Sequence, residues 1–186
     1  MLKIGLDIDN VLADFDSAYR IYFGADRFPE MLKSDVITDN VNAILISDRK
    51  FWINLPVINK LDFTPKLYCT KRVNKKAWSK KWLEINHFPK APVYQIFGND
   101  KKKSPYIKGR VDVFIDDSVT NFIEMNLAGI PCLLYATEAN EPWGNIGKIH
   151  SLDYKSIERE YKIYMEKYFF NFKEILVTKK DAESLY

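Results

Sequence analysis

Short apolar runs that end on polar or acidic residues recur along the chain. Ile4–Leu6 runs straight into Asp7-Ile8-Asp9. Residues 66–70 end on the hydroxyl of Thr70, residues 93–97 form a third run, and residues 111–115 lead into Asp116-Asp117. Cys132–Tyr135 is a fifth. Runs of this length, without polar alternation, predict strands buried on both faces of a parallel sheet. The stretches between them have helical spacing. Residues 74–85 put Ala77, Trp78, Trp82 and Ile85 on one face, with Lys75, Lys76, Lys80 and Lys81 around the other positions. Residues 119–128 carry Phe122, Ile123 and Met125, and Gly129 follows where a helix stop is expected. Strands that alternate with helices predict an α/β fold with a doubly wound, Rossmann-like parallel sheet. Right-handed crossovers then bring the strand C-termini to one edge, where such folds bind ligands.

Residues 15–63 break this rhythm. Phe15, Ala18, Tyr19, Tyr22 and Phe23 have helical spacing, while Pro29, Asp35, Asp39-Asn40 and Pro56 punctuate the rest. No buried strand is expected there, so the segment reads as a small, mainly helical insertion after the first strand. Beyond Asp153 a further helix is expected, with Ile157, Tyr161, Tyr164 and Met165 on one stripe. Its end, Tyr168-Phe169-Phe170, is expected to dock on the core.

Composition changes this picture little. The 186 residues suit one core plus an insertion, and 15% are aromatic. A net charge of +3 is too small to argue for nucleic acid by itself. Cys69 and Cys132 lie far apart in apolar stretches, and neither has a ligand-like spacing to His87 or His150. Neither a disulfide framework nor a zinc site is expected. Carboxylates follow the N-terminus at once and no apolar run approaches the length of a membrane span, so a cytoplasmic protein without membrane attachment is expected.

The candidate chemistry lies in the carboxylates. Asp7 and Asp9 stand two apart just beyond a strand; on a continuing strand they would share a face and repel. Asp116 and Asp117 end a second strand of the same sheet. Several carboxylates then converge on one edge, and a hard divalent cation with oxygen ligands is the simplest remedy. Mg²⁺ suits carboxylates together with a substrate phosphate. Thr70 offers a strand-end hydroxyl for a phosphate oxygen. Lys101, Lys102, Lys103 and Lys108 compete for the place of a phosphate-binding lysine.

The string Asp7-Ile8-Asp9-Asn10-Val11-Leu12-Ala13-Asp14-Phe15 resembles motif I of the haloacid dehalogenase (HAD) superfamily, and within it is most similar to the 5′(3′)-deoxyribonucleotidase branch. Leu67-Tyr68-Cys69-Thr70 resembles motif II, Lys103-Ser104 ahead of Ile107-Lys108-Gly109 the motif III lysine segment, and Ile115-Asp116-Asp117-Ser118 with Asn121-Phe122 motif IV. The resemblance covers roughly residues 1–150. It implies a HAD core over 1–14 and 64–150, a helical cap over 15–63, and a C-terminal helical extension over 151–186. It also implies a phosphatase in which Asp7 is the nucleophile and forms an aspartyl-phosphate, and Asp9 is the acid and base. Mg²⁺ would be held by Asp7, the backbone carbonyl of Asp9, and Asp116, with Asp117 in support. Thr70 and Lys103 would hold phosphoryl oxygens, with Lys108 as the second choice of lysine.

In the resembling nucleotidases the cap supplies aromatic walls for a base. Phe51 and Trp52 are the candidates here, and Asn10 joins them as a candidate substrate-binding residue. The chain departs from the pattern at Asn10, where this branch usually has Gly, and at Lys71-Arg72, where a Ser-Pro-like continuation is usual. The expected partner is a small phosphate ester, above all a (deoxy)nucleoside monophosphate. Three alternatives are a phosphatase acting on nucleic-acid ends, one acting on another small ester, and a catalytically silent domain that binds nucleic acid or protein through its lysines.

Overall fold

The computed structural model describes residues 1–98 and 101–183. In chain order the strands are β1 (Ile4–Leu6), β2 (Leu67–Lys71), β3 (Val93–Ile96), β4 (Val113–Asp116), β5 (Cys132–Tyr135) and β6 (Lys148–Ile149). They form one six-stranded sheet, every pairing parallel, in the order β3-β2-β1-β4-β5-β6. Parallel neighbours require crossovers, and the intervening helices supply them: α4 (Lys76–Ile85), α5 (Ser104–Ile107) and α6 (Val119–Leu127). The protein is therefore an α/β structure with a Rossmann-like sheet.

The chain winds outward from β1 through β2 to β3, then returns to the other side of β1 to begin β4. The reversal falls between β1 and β4. A crevice opens outside the strand C-termini at such a point because the two connections leave in opposite directions. Gly5 lets β1 lie tightly between its neighbours: a Cβ there would come within 2.8 Å of the Phe114 ring and 3.0 Å of Val111.

Four of the five strands read from apolar runs are buried through nearly their whole length, as a sheet covered on both faces requires. The edge strand β3 is buried only at its ends. The two-residue strand β6 has no sequence signature, being too short for any period to register. Cys69 and Cys132 are buried and free.

Between β1 and β2 lie α1 (Phe15–Phe23), α2 (Ser34–Ala43), α3 (Arg49–Ile53) and two short 3₁₀ turns, with no strand of the sheet. Asp14 caps α1 by accepting from the Ser17 N–H, and Gly24 ends it with φ of 63°. Asp48 caps α3 in the same way. The rings of Phe15, Tyr19, Phe51 and Trp52 pack together. This cluster is continuous with the core beneath the sheet. The Trp82 indole of α4 donates to the carbonyl of Leu55, at 2.8 Å, and so ties the segment to the layer below.

Helix α4 begins two residues later than its pattern suggested, and its buried face is turned. Ser79, Trp82 and Leu83 point inward, while Ala77 and Ile85 are exposed. The polar Ser79 goes inside because it has buried partners, described below. After β6 the chain continues as α7 (Tyr154–Tyr164), a π turn over Met165–Phe169, and α8 (Phe172–Glu183). Phe122 of α6 is the anchor for this tail, meeting the rings of Tyr164 and Phe172 at 6.0 and 5.4 Å. Tyr168 and Phe169 dock as expected, whereas Phe170 points out to solvent.

Candidate active site

Asp7 is the first residue beyond the central strand, and it is buried. One carboxylate oxygen accepts the N–H of Ile8 at 2.7 Å, and the other lies 2.6 Å from the Lys103 ammonium. Lys103 is wholly buried and also reaches Asp116, at 2.7 Å. Asp116 ends β4, so the two carboxylates flank the strand reversal and one lysine bridges them. Glu124 of α6 accepts the N–H groups of Lys103 and Ser104, which fixes the start of α5 and with it the lysine. The other oxygen of Asp116 accepts from the Ser118 N–H and the Asn121 amide, both at 3.0 Å.

Asp117 is half-buried next to this pair. Carboxylate oxygens of Asp7, Asp116 and Asp117 lie within 4.8 Å of one another, a set that could hold a metal ion. Asn10 steers Asp117 by donating to it at 3.2 Å. Its backbone is left-handed, with φ of 54°, a conformation that Asn adopts more readily than most side chains. The departure from Gly at this position is thereby accommodated.

The charges do not balance. Three carboxylates stand against one ammonium, which bridges two of them, Asp7 and Asp116. Burial pushes the Asp7 carboxyl up to about 7; Lys103 opposes the rise, and Asp116 and Asp9 add to it. Burial also lifts Asp117 well above the ordinary carboxylate range, helped by Asp116 and then Asp7. For Lys103 burial works against the charge, yet Asp116 and Asp7 hold it above its usual value. Excess buried negative charge of this kind is what a divalent cation relieves.

Asp9 lies to one side. Its carboxylate takes the Thr70 hydroxyl at 3.1 Å and two nitrogens of Arg72, at 2.8 and 2.5 Å. Arg72 is buried, its guanidinium 5.0 Å from the Trp52 ring. A third nitrogen donates to Ser79 at 3.3 Å, and Ser79 donates to Gln95 at 2.9 Å. A polar chain thus runs from Asp9 through β2 and α4 to β3.

Of the residues read from sequence, Asp7, Asp116, Asp117 and Lys103 come together, with Asn10 against them and Asp9 and Thr70 alongside. Lys101, Lys102 and Lys108 are exposed. Phe51 and Trp52 are not an open wall. Both are buried, Trp52 is stacked on Phe15, and its indole donates to the Leu45 carbonyl at 2.7 Å. Together with Tyr19, Leu45 and Leu55, which are buried as well, these rings seat the 15–63 segment on the core.

Sequence reasoning treated Lys71 and Arg72 only as a departure from the motif pattern and as basic surface of a silent domain, and named Asn121 only within the motif IV resemblance. Alternation offered a signal for Arg72, since it stands two beyond Thr70 and a continuing strand would put both on one face. Lys71 is half-buried and donates to Asn121 at 2.9 Å; burial and then Lys103 press its ammonium below the usual value. A cleft of about 560 Å³ opens beside Asn10, bordered by Asp14, Asp16, Arg20, Tyr135 and Thr137.

Fold and site together define an α/β protein whose parallel sheet ends, at its strand reversal, in a buried carboxylate–lysine cluster. Compared with protein-family models and with curated proteins, the chain finds no match. Among the described residues no helix is long and apolar enough to cross a membrane.

Proposed function

We propose that this chain is a Mg²⁺-dependent phosphomonoesterase of the HAD type, acting on nucleotide phosphates through an aspartyl-phosphate. The observation that carries the reading is the Asp7–Lys103–Asp116 bridge at the end of the central strand. A buried lysine between two strand-end carboxylates places a fixed positive charge where a phosphoryl group would meet a carboxylate nucleophile.

Asp7, Asp116 and Asp117, with the carbonyl of Asp9, would hold the ion; when bound, it supplies charge neutralisation for the phosphoryl oxygens and for the carboxylates themselves. An oxygen of Asp7 attacks phosphorus, and the bond from phosphorus to the leaving oxygen breaks. The Asp9 carboxylate, ion-paired with Arg72, must first take up a proton from solvent; it then gives that proton to the leaving oxygen and takes one from the water that attacks the aspartyl-phosphate. The bond to Asp7 breaks, and one water has been consumed to give an alcohol and inorganic phosphate. Lys103 and Thr70 stabilise the phosphoryl oxygens. Arg72 fixes the direction of the Asp9 carboxylate.

A silent binding domain is the weaker reading, because a binding surface has no need of buried, mutually repelling carboxylates. The test is Asp7→Asn, which keeps the shape of the side chain and removes the nucleophile. Phosphate release from nucleoside monophosphates should fall by at least roughly 10³-fold, with an unchanged circular dichroism spectrum. Retention of activity within a few-fold of the parent protein would overturn the mechanism.

A further inference from the structure

Lys71 ends β2 and is level with Ile96 at the end of β3. From these neighbouring strand ends the chain runs into two lysine pairs at the same edge of the sheet. Lys75 and Lys76 begin α4, and Lys101 and Lys102 follow β3; all four are exposed. None of the four is in an ion pair among the described residues. Phe97, directly after β3, exposes 51% of its surface at the same strand-end edge. The first turn of α4 holds no acidic residue. Lysines at a helix N-terminus oppose the helix dipole and weaken the helix, so stability alone does not favour them there. What they do is add to the positive potential at that edge.

Lys71 links this edge to the carboxylate site. Lys71 donates to Asn121, and Asn121 donates to Asp116, so Lys71 is two hydrogen bonds from the cluster. Its one hydrogen-bond acceptor among the described residues is a neutral amide. A half-buried ammonium in that position is suited to an anion arriving from outside.

A free mononucleotide carries a single phosphate and cannot occupy both the cluster and a surface of four more lysines. A strand end can. With the burial of Phe51 and Trp52, moreover, Phe97 offers an exposed aromatic ring at the strand-end edge, more open than Tyr106. Clustered lysines and an exposed ring are the features with which proteins hold single strands, the charges following the backbone and the ring stacking a base. We infer that the substrate is the phosphorylated end of a single-stranded nucleic acid, with Lys71 against the phosphate nearest the site, Lys75, Lys76, Lys101 and Lys102 along the backbone, and Phe97 beneath a base. This inference rests on the phosphomonoesterase reading and narrows its substrate.

The experiment compares kcat/KM for thymidine monophosphate with that for hexathymidylate phosphorylated at its 3′ or 5′ end, and for the matching hexauridylate. The parent protein is set against a variant with Lys75, Lys76, Lys101 and Lys102 all changed to Gln, and against Phe97→Ala. The hexamers should be preferred at least tenfold. The lysine variant should lower the ratio of hexamer to monomer tenfold or more. It should also flatten the log–log salt dependence, since each phosphate contact to a single strand contributes a slope of about −0.7. Phe97→Ala should lower the same ratio severalfold. Equal kcat/KM for monomer and hexamers, or a ratio unmoved in the lysine variant, would overturn the inference while leaving the phosphatase intact. Should no substrate release phosphate, the enzymatic reading fails by itself. Fluorescence anisotropy of labelled hexamers then decides the surface: tighter binding of phosphate-ended than hydroxyl-ended strands, weakened in the lysine variant, sustains it, and absence of binding rejects it.

Discussion

Arg72 shows how one side chain can serve packing and chemistry together. Its charge is taken out of water and offset by the forked contact with Asp9, its plane lies near Trp52, and its remaining nitrogen has Ser79. Such a group is expensive to remove because Asp9 would be left without its partner. Arg72→Gln should lower stability by about 3 kcal/mol, as is typical when one member of a buried pair is deleted. Urea titration followed by circular dichroism would measure it. Arg72→Lys restores the charge but not the fork, so part of the stability should return while kcat stays low. Recovery of kcat in the lysine variant would show that charge alone matters at this position.

At the scale of elements, β1 governs the site because both halves of the sheet are hydrogen-bonded to it. Its register with β2 and β4 sets how far Asp7 stands from Thr70 and Asp116. Gly5 is the residue that permits this spacing. A methyl group there would press on Phe114 and Val111 at 2.8 and 3.0 Å, distances at which a neighbour must shift. Gly5→Ala should therefore destabilise the protein by about 1–3 kcal/mol, the usual range for overpacking a filled core. It should also lower activity through displacement of Asp7. A variant as stable and as active as the parent would mean that β1 and β4 separate at no cost.

For the whole molecule, the unbalanced carboxylates couple the proposed metal to folding. An ion that binds the folded cluster and not the unfolded chain adds stability by mass action, about 2.7 kcal/mol at a hundredfold excess over its Kd. For a chain of this size each kcal/mol moves Tm by roughly 2–4 °C. Mg²⁺ should raise Tm by several degrees in differential scanning fluorimetry, and Asp116→Asn should abolish most of that rise. Activity should vanish in excess chelator and return with Mg²⁺. A Tm indifferent to Mg²⁺ in the parent protein would count against the metal centre, whatever the kinetics.

The sequence by itself determined the alternation of strands and helices, and hence the parallel sheet, because fully buried strands and amphipathic helices leave local periodic patterns. Five of the six strands were legible within a few residues. So was the convergence of Asp7, Asp9, Asp116 and Asp117 on one edge, because acids at the ends of apolar runs are a local signal; that Asp117 rather than the Asp9 carboxylate stands with Asp7 and Asp116 was not. Choosing Lys103 among four lysines required the resemblance to known motifs, and its two salt bridges place it in the cluster. Other features were decided only when the chain closed. Strand β6 is two residues long and exists through its pairing with β5. Ser79 is inside a helix face that periodicity assigned to Ala77 and Ile85, since Arg72 and Gln95, distant in sequence, satisfy its hydroxyl. Phe51 and Trp52 could as well have lined a pocket as anchored a segment. Aromatic side chains serve both purposes, and what distinguishes them is the set of neighbours, here Phe15, the Leu45 carbonyl and Arg72, that only the tertiary structure brings together.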